Sequence, residues 1–253
     1  MLSLRAAGYQ RPRDEGEKPF WISFSDLMSA LMVLFLVSMS VALLAVTKKV
    51  SEAEREDKER AQAIADVMGE IDAIAREFDG VKVDFDNKTI DFGVRGNFER
   101  EGQNTLSAEQ KALLREFTPK LVARLRDSPA ARKWFKRTVV EGYASRSGKY
   151  LFNLNLSLER SERVLCELLR EPRAGEQPFS DEDRRLIAQK FFVGGASFNS
   201  LRETATESRR IEFKLEFKSR DEARVPEPAL TAEQEQWLLA ALDPKERCPI
   251  ADR

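Results

Sequence analysis

The sequence predicts an α/β protein: one N-terminal transmembrane helix, a helical linker, then a two-layer α/β sandwich with a C-terminal helical extension. Three observations carry this. Residues 27–46 form a run of twenty uncharged residues inside "WISFSDLMSALMVLFLVSMSVALLAV". Residues 80–220 interleave helix-period and strand-period stretches, the pattern of helices layered on a sheet. In "RIEFKLEFK", Ile211, Phe213, Leu215 and Phe217 alternate with charged residues, as a strand with one buried face requires. The divisions are 1–20, an N-terminal segment; 21–47, the membrane helix; 48–79, the linker; 80–220, the α/β domain; and 221–253, the extension.

Composition excludes several function classes. Among 253 residues, 42 are basic and 43 acidic, so no dominant sign steers the chain to nucleic acid. There is no His, which removes the usual neutral-pH base and the commonest zinc ligand. Cys166 and Cys248 are the two cysteines, too few for a cysteine-based metal site. The expectation is a protein that is not an enzyme, with no metal and no cofactor.

The apolar run is about 30 Å long as a helix, the thickness of a bilayer's hydrocarbon core. Trp21 flanks it on one side and Lys48-Lys49 on the other, as interfacial anchors do. A cleaved signal peptide fits less well, because the run is too long and no Ala-x-Ala site follows it. Charge leaves the orientation open: Arg5, Arg11, Arg13 and Lys18 precede the run, and Lys48, Lys49, Arg55, Lys58 and Arg60 follow it. Asp26 is the one acid at the mouth of the run. A carboxylate in a membrane helix costs about 2.5–3.5 kcal/mol at the centre and less toward the ends. Two readings stand. Asp26 either points back to the interface, sharing a polar stripe with Ser23, Ser25 and Ser29, or faces a partner helix or pore as an ion carrier. Desolvation favours a carboxyl's neutral form, which lets an acid so placed load and unload a proton.

Residues 47–60, "TKKVSEAEREDKER", carry ten charges in fourteen positions, with helix-supporting i,i+4 pairs Glu54–Lys58 and Glu56–Arg60. Ile64, Val67, Ile71, Ile74 and Phe78 then recur at spacings of three and four. Such a seam suits a parallel dimer contact near the membrane, or packing on the chain's own domain; the dimer is the favoured expectation. Gly80 ends the helix. Val83 and Phe85 pair with Ile90 and Phe92 around an Asp-Asn-Lys turn. A helix over "LSAEQKALLREFTPKLVARL" opens on the capping box Ser107-x-x-Gln110, with Pro119 as a kink point. "TVVEGYA" reads as a strand, "LSLERSERVLCELL" as a helix capped at Ser157, and "FFVGG" as another strand. The extension holds one helix capped by Thr231-x-x-Gln234, with Trp237, Leu238 and Leu242 as its apolar face and Pro244 as its stop. Cys248 either bridges to Cys166, if the domain lies outside the cytoplasm, or leaves it an ordinary buried thiol.

"PFWISFSDLMSALMVLFLVSM" resembles the transmembrane segment of MotB-type ion-driven motor subunits, and Asp26 matches their ion-binding aspartate. "VEGYASRSGKYLFNLNLSLERSERV" and "RRIEFKLEF" resemble the OmpA-like peptidoglycan-binding fold. Together they are most similar to the MotB-like subunits of Zorya anti-phage defence systems. The resemblance implies an N-terminus in the cytoplasm, a periplasmic domain in an inner-membrane protein, proton transport (or sodium), and two copies within a MotA-like (ZorA-type) pentamer. It assigns peptidoglycan binding to Arg160, which takes the family's carboxylate-gripping position, and to Phe152, Asn153 and Leu156. Arg160 also falls in the first turn after Ser157, where a cation opposes the helix dipole and a bound carboxylate would relieve it. The bland alternative is a surface Arg paired with Glu141 or Glu159. Where the family has Gly-His-Thr-Asp, this chain has Gly142-Tyr143-Ala144-Ser145. Ser145 supplies no charge for the peptide's amino group, so binding is weaker, differently oriented, or assisted by another acid. A flagellar-type stator, a TolR-like force transducer and a passive OmpA-like tether are the competing functions.

Overall fold

The computed structural model describes residues 18–253, with side chains from Trp21 onward. The segment 1–20, with Arg5, Arg11, Arg13 and Lys18, lies outside that range apart from the helical backbone of its last three residues. The chain divides into two units, residues 1–56 and 57–253.

In the first unit, helix α1 (Lys18–Ala75) takes up the whole apolar run. Neither Gly nor Pro occurs between residues 20 and 68, so nothing interrupts it. Residues 21–50 are exposed on every side. A helix apolar all round, and uncovered by its own protein, is built to sit in lipid. Its hydroxyls bond inward, as hydrocarbon demands: Ser38 Oγ to Phe35 O (2.8 Å), Ser40 Oγ to Leu36 O (2.7 Å) and Thr47 Oγ1 to Leu43 O (2.9 Å). Ser29 Oγ likewise donates to Ser25 O at 2.8 Å, so that hydroxyl serves the helix backbone and does not extend a polar stripe from Asp26.

In the second unit, the end of α1 is part of the folded domain. Ile64, Val67, Ile71, Ile74 and Phe78 are all buried in the chain's own core, together with Met68 and Ala75. The dimer seam expected there is therefore corrected. Two heptads of apolar spacing look the same whether the helix faces a twin or its own domain, and here the domain takes them. Replacing Ile71, which is fully buried, by Ala is expected to lower stability by about 2–5 kcal/mol. The loss should not vary with protein concentration in urea unfolding, as a dimer contact's would. The helix gives way to tight turns at Glu77 and Phe78, which bond back to Ile74 O and Ala75 O, and Gly80 follows at φ +81°.

Strands β1 (Lys82–Asp84) and β2 (Thr89–Asp91) form the expected hairpin, with Val83 opposite Ile90. Phe85 does not join it. It sits in the turn, exposed, because Asp84 accepts from the Asp86 and Asn87 N–H groups (2.9 Å each) and Lys88 adopts φ +55°. A 3-10 turn over Gly93–Gly96 leads on to α2 (Ala108–Asp127). Both halves of the Ser107–Gln110 capping box are formed, and α2 runs through Pro119. A short α3 (Pro129–Trp134) precedes β3 (Phe135–Gly142). Then come α4 (Tyr150–Leu169), α5 (Asp181–Lys190), β4 (Phe191–Gly195), α6 (Ala205–Ser208), β5 (Ile211–Phe217), α7 (Arg220–Arg224) and α8 (Ala232–Ala241). Helix α5 is not among the elements expected above, although its capping box, Ser180-x-x-Asp183, is legible.

The sheet order is β1-β2-β5-β3-β4, antiparallel except for the β3–β4 pair. Ile211, Phe213 and Leu215 of β5 point into one core with Phe92, Phe117 and Leu121, while Lys214 and Glu216 stay half-exposed on the other face. Edge-on ring contacts link Phe213 to Phe92 (4.9 Å) and Phe92 to Phe117 (5.5 Å). This is a sheet covered by helices on its apolar face, the two-layer α/β arrangement the sequence predicts. In the extension, α8 lies against α5 with an Arg185–Glu235 ion pair at 3.1 Å, and Leu238, Leu239 and Leu242 are half-buried. Trp237, assigned to that face, is instead 70% exposed.

Candidate functional site

The site is made where α4 crosses β3 and β4, and glycine makes the crossing possible. A Cβ on Gly142 would stand 1.9 Å from Ser157 O. One on Gly195 would stand 2.8 Å from Ser157 Oγ and 2.9 Å from Leu154 O. The helix backbone therefore rests directly on the two strands. Ser157 is not a helix cap, contrary to the sequence reading: α4 begins seven residues earlier, at Tyr150. Lys149, at the N-cap, makes no side-chain cap bond, so the start carries no capping signature. Ser157 is a clasp. Its Oγ donates to Leu154 O (2.8 Å) and accepts the Ser197 N–H (3.0 Å), tying mid-helix to the chain after β4.

This shift changes the account of Arg160. It lies well inside α4, not in its first turn, so the helix-dipole argument does not hold. Nor is it a surface residue paired with Glu141 or Glu159: it is 0% exposed. Arg160 Nε donates to Gln103 O at 2.8 Å and Nη1 to Tyr143 O at 2.6 Å, while the guanidinium stacks 4.4 Å from the Phe98 ring centre. Nη2 has no partner among the described residues. Burial pushes the Arg160 guanidinium down to about 9, with the like charge of Arg209 adding to the effect. It is protonated at neutral pH, buried, and held by two carbonyls.

Arg160 lines a cavity of about 270 Å³. Ser145, Phe152, Asn153 and Leu156 line it too, so all five residues named for binding meet there. Asn153, buried, donates Nδ2 to Ser147 O at 2.7 Å, shaping the loop between β3 and α4. In that loop Gly148 takes φ +91°, and a side chain there would crowd the Phe152 ring at 3.4 Å. Two charged residues that the sequence reading missed complete the lining. Arg209 is anchored on Phe98 O (2.9 Å) and Glu99 O (2.6 Å). Glu101 accepts a hydrogen bond from Ser147 Oγ at 2.6 Å. Glu101 lies in no motif, and Arg209 opens the stretch "RRIEFKLEF", where the alternation marks a strand and gives the arginine no role; the fold brings both to α4. The cavity lining holds two guanidiniums against one carboxylate, an environment for an anionic group, and the N-terminal end of α4 adds to that field.

Asp26 belongs to the first unit, where it is exposed on α1. Cys166 and Cys248 are joined by a disulfide, with Cα atoms 5.5 Å apart.

No protein-family model matches the chain. Among solved structures, similarity is found to the OmpA-like domain of FopA1 from Francisella tularensis: 17% identity, 55% of this chain, 82% of that chain, TM-score 0.33. The cell wall anchor of the T6SS from Pseudomonas aeruginosa gives 17% identity, 58% of this chain, 95% of that chain and TM-score 0.35. In sequence, the chain is 41% identical over 209 residues to the Zorya protein ZorB of Escherichia coli, spanning 82% of this chain and 84% of that protein. Identity at that level over most of both chains leaves the membership plain: this chain belongs to the ZorB family of Zorya proteins.

Proposed function

We propose that this chain is the wall-anchored membrane subunit of a proton-driven motor serving Zorya-type anti-phage defence. Its cavity grips the carboxylate of a peptidoglycan peptide, and Asp26 carries protons, or sodium, for a MotA-like (ZorA-type) pentamer around two copies of α1. The N-terminus is cytoplasmic and the α/β domain periplasmic. The single observation that carries the anchoring half is Arg160. A buried cation whose partners are neutral carbonyls, with Nη2 unpaired, is costly to keep in a fold. A ligand carboxylate would complete it with charge-assisted bonds. Glu101 supplies, in the same cavity, the negative group that Ser145 does not. The disulfide suits an oxidising compartment such as the periplasm. The motor half rests on ZorB membership and on an acid within residues 21–47 of α1, a stretch that is exposed and otherwise uncharged.

Arg160→Ala in the full-length protein is expected to weaken retention on purified sacculi by about ten- to a hundredfold. One charged hydrogen-bond set contributes about 1.5–3 kcal/mol, and 1.4 kcal/mol is tenfold. Arg160→Met, which keeps more of the volume, should show the same loss with a near-native melting transition. Wild-type retention by both folded variants would overturn the assigned site.

A further inference from the structure

After α8 the chain turns back along α4. The Glu171 N–H donates to Pro244 O at 2.7 Å, and the disulfide fastens Cys248 to Cys166. Beyond the disulfide, Arg163 Nη2 donates to Ile250 O (2.9 Å) and Asp252 Oδ1 (2.6 Å). Asn104 Nδ2 donates to Ala251 O at 2.9 Å, and Asn104 Oδ1 accepts the Arg253 N–H at 3.0 Å. Arg253 Nη2 then reaches Glu159 Oε1 at 3.2 Å, and its guanidinium lies 5.9 Å from the Phe152 ring centre. Cys166, Arg163, Glu159 and Phe152 descend one side of α4 toward its N-terminal end, and the segment 248–253 follows them to the rim of the cavity.

Two links join this segment to the site. The first is Phe152, which lines the cavity and carries Arg253 on its ring. The second is Asn104. It is 0% exposed, and its amide is used on both sides: it donates to Glu159 Oε2 and Ala251 O and accepts from Arg253. Its neighbour Gln103 provides the carbonyl that holds Arg160 Nε. The residue that positions Arg160 is thus next in chain to the residue that the segment is bonded to.

We propose that residues 248–253 are a disulfide-held latch that completes the binding site, with Arg253 as a second cation at the mouth and the 103–104 loop braced behind Arg160. This rests on the reading of the cavity as a peptide-carboxylate site. The ligand class it selects is a peptide with two acidic groups, one inside on Arg160 and one outside on Arg253. The disulfide is needed because ordering six residues costs backbone entropy that a few partly exposed polar contacts do not offset. A covalent tie turns docking of the segment into a local event at high effective concentration.

The test uses the full-length protein and purified sacculi, with Arg160→Ala as reference. Arg253→Glu and Cys248→Ser should each weaken retention by about three- to tenfold, the scale of a rim charge and a released segment. In the Cys248→Ser background, Arg253→Glu should add little, since the two act as one unit. If Arg160→Ala lowers retention while Arg253→Glu matches wild type, the latch is wrong and the cavity assignment stands. If the two changes simply add, the disulfide is not what holds Arg253, and the latch is again overturned. If Arg160→Ala has no effect, the cavity reading itself fails, and the latch with it. Should Cys248→Ser lose its melting transition, Arg253→Glu decides alone, because it keeps the disulfide.

Discussion

Replacing Asp26 with Asn is expected to leave a protein that expresses and inserts at wild-type level, yet gives no protection against phage. Asn has nearly the shape of Asp and no proton to exchange. Insertion is not impaired, because removing a charge from a membrane helix lowers its transfer cost. The Ser29 hydroxyl, one turn away, does not stand in for the acid: it is committed to Ser25 O. The expected loss is all of the ion-driven activity, read as phage plating efficiency returning to that of cells lacking the gene. The passive tether makes the opposite forecast. If Asp26 only points to the interface, Asn should protect as well as Asp, and full protection in that variant would sink the motor reading.

The second large effect is structural. Gly142→Ala should destabilise the domain at or beyond the upper end of the about 1–3 kcal/mol typical of overpacking. The new Cβ would fall 1.9 Å from Ser157 O, and a helix backbone cannot rotate aside as a side chain can. Relief requires α4 to lift off β3, which moves Arg160, Asn153 and Leu156 from the cavity together. Against a total stability of about 5–15 kcal/mol, such a loss is a large fraction. Gly69→Ala is the contrasting control. An added Cβ there meets nothing within 4 Å, and the position is an exposed helix interior. It should stabilise by about 0.5–1 kcal/mol. Urea midpoints of the two variants should move in opposite directions. Gly142→Ala should also lose sacculus retention, and a wild-type midpoint in it would mean that the close approach of α4 to β3 is not needed.

The features legible in the sequence are those whose cause is local. The apolar run identifies its helix because every residue in it must suit the same solvent. Ser107 and Thr231 mark helix starts because a cap and its partner lie three residues apart. Ile211, Phe213 and Leu215 announce a half-buried strand because the backbone alternates sides at each residue. The five residues expected at the binding site do meet in one cavity, since four of them share one stretch of α4 and the fifth lies in the loop before it.

Tertiary structure decided the rest. The seam from Ile64 to Phe78 has the same spacing for a twin helix as for the chain's own sheet, so only the packed core shows which one takes it. The start of α4 carries no side-chain cap, so Ser157, a capping residue type, looks like the start in sequence; packed over Gly142 and Gly195, it clasps the chain after β4 instead. Arg160 owes its burial and its carbonyl partners to residues 17 and 57 positions away, and Arg209 is brought to the same cavity from another element of the fold. Which segments suit lipid, helix and strand is readable along the chain, because those preferences depend on nearby residues. Which charge is buried and which acid shares its cavity depend on contacts between residues far apart in sequence, and only the fold makes those contacts.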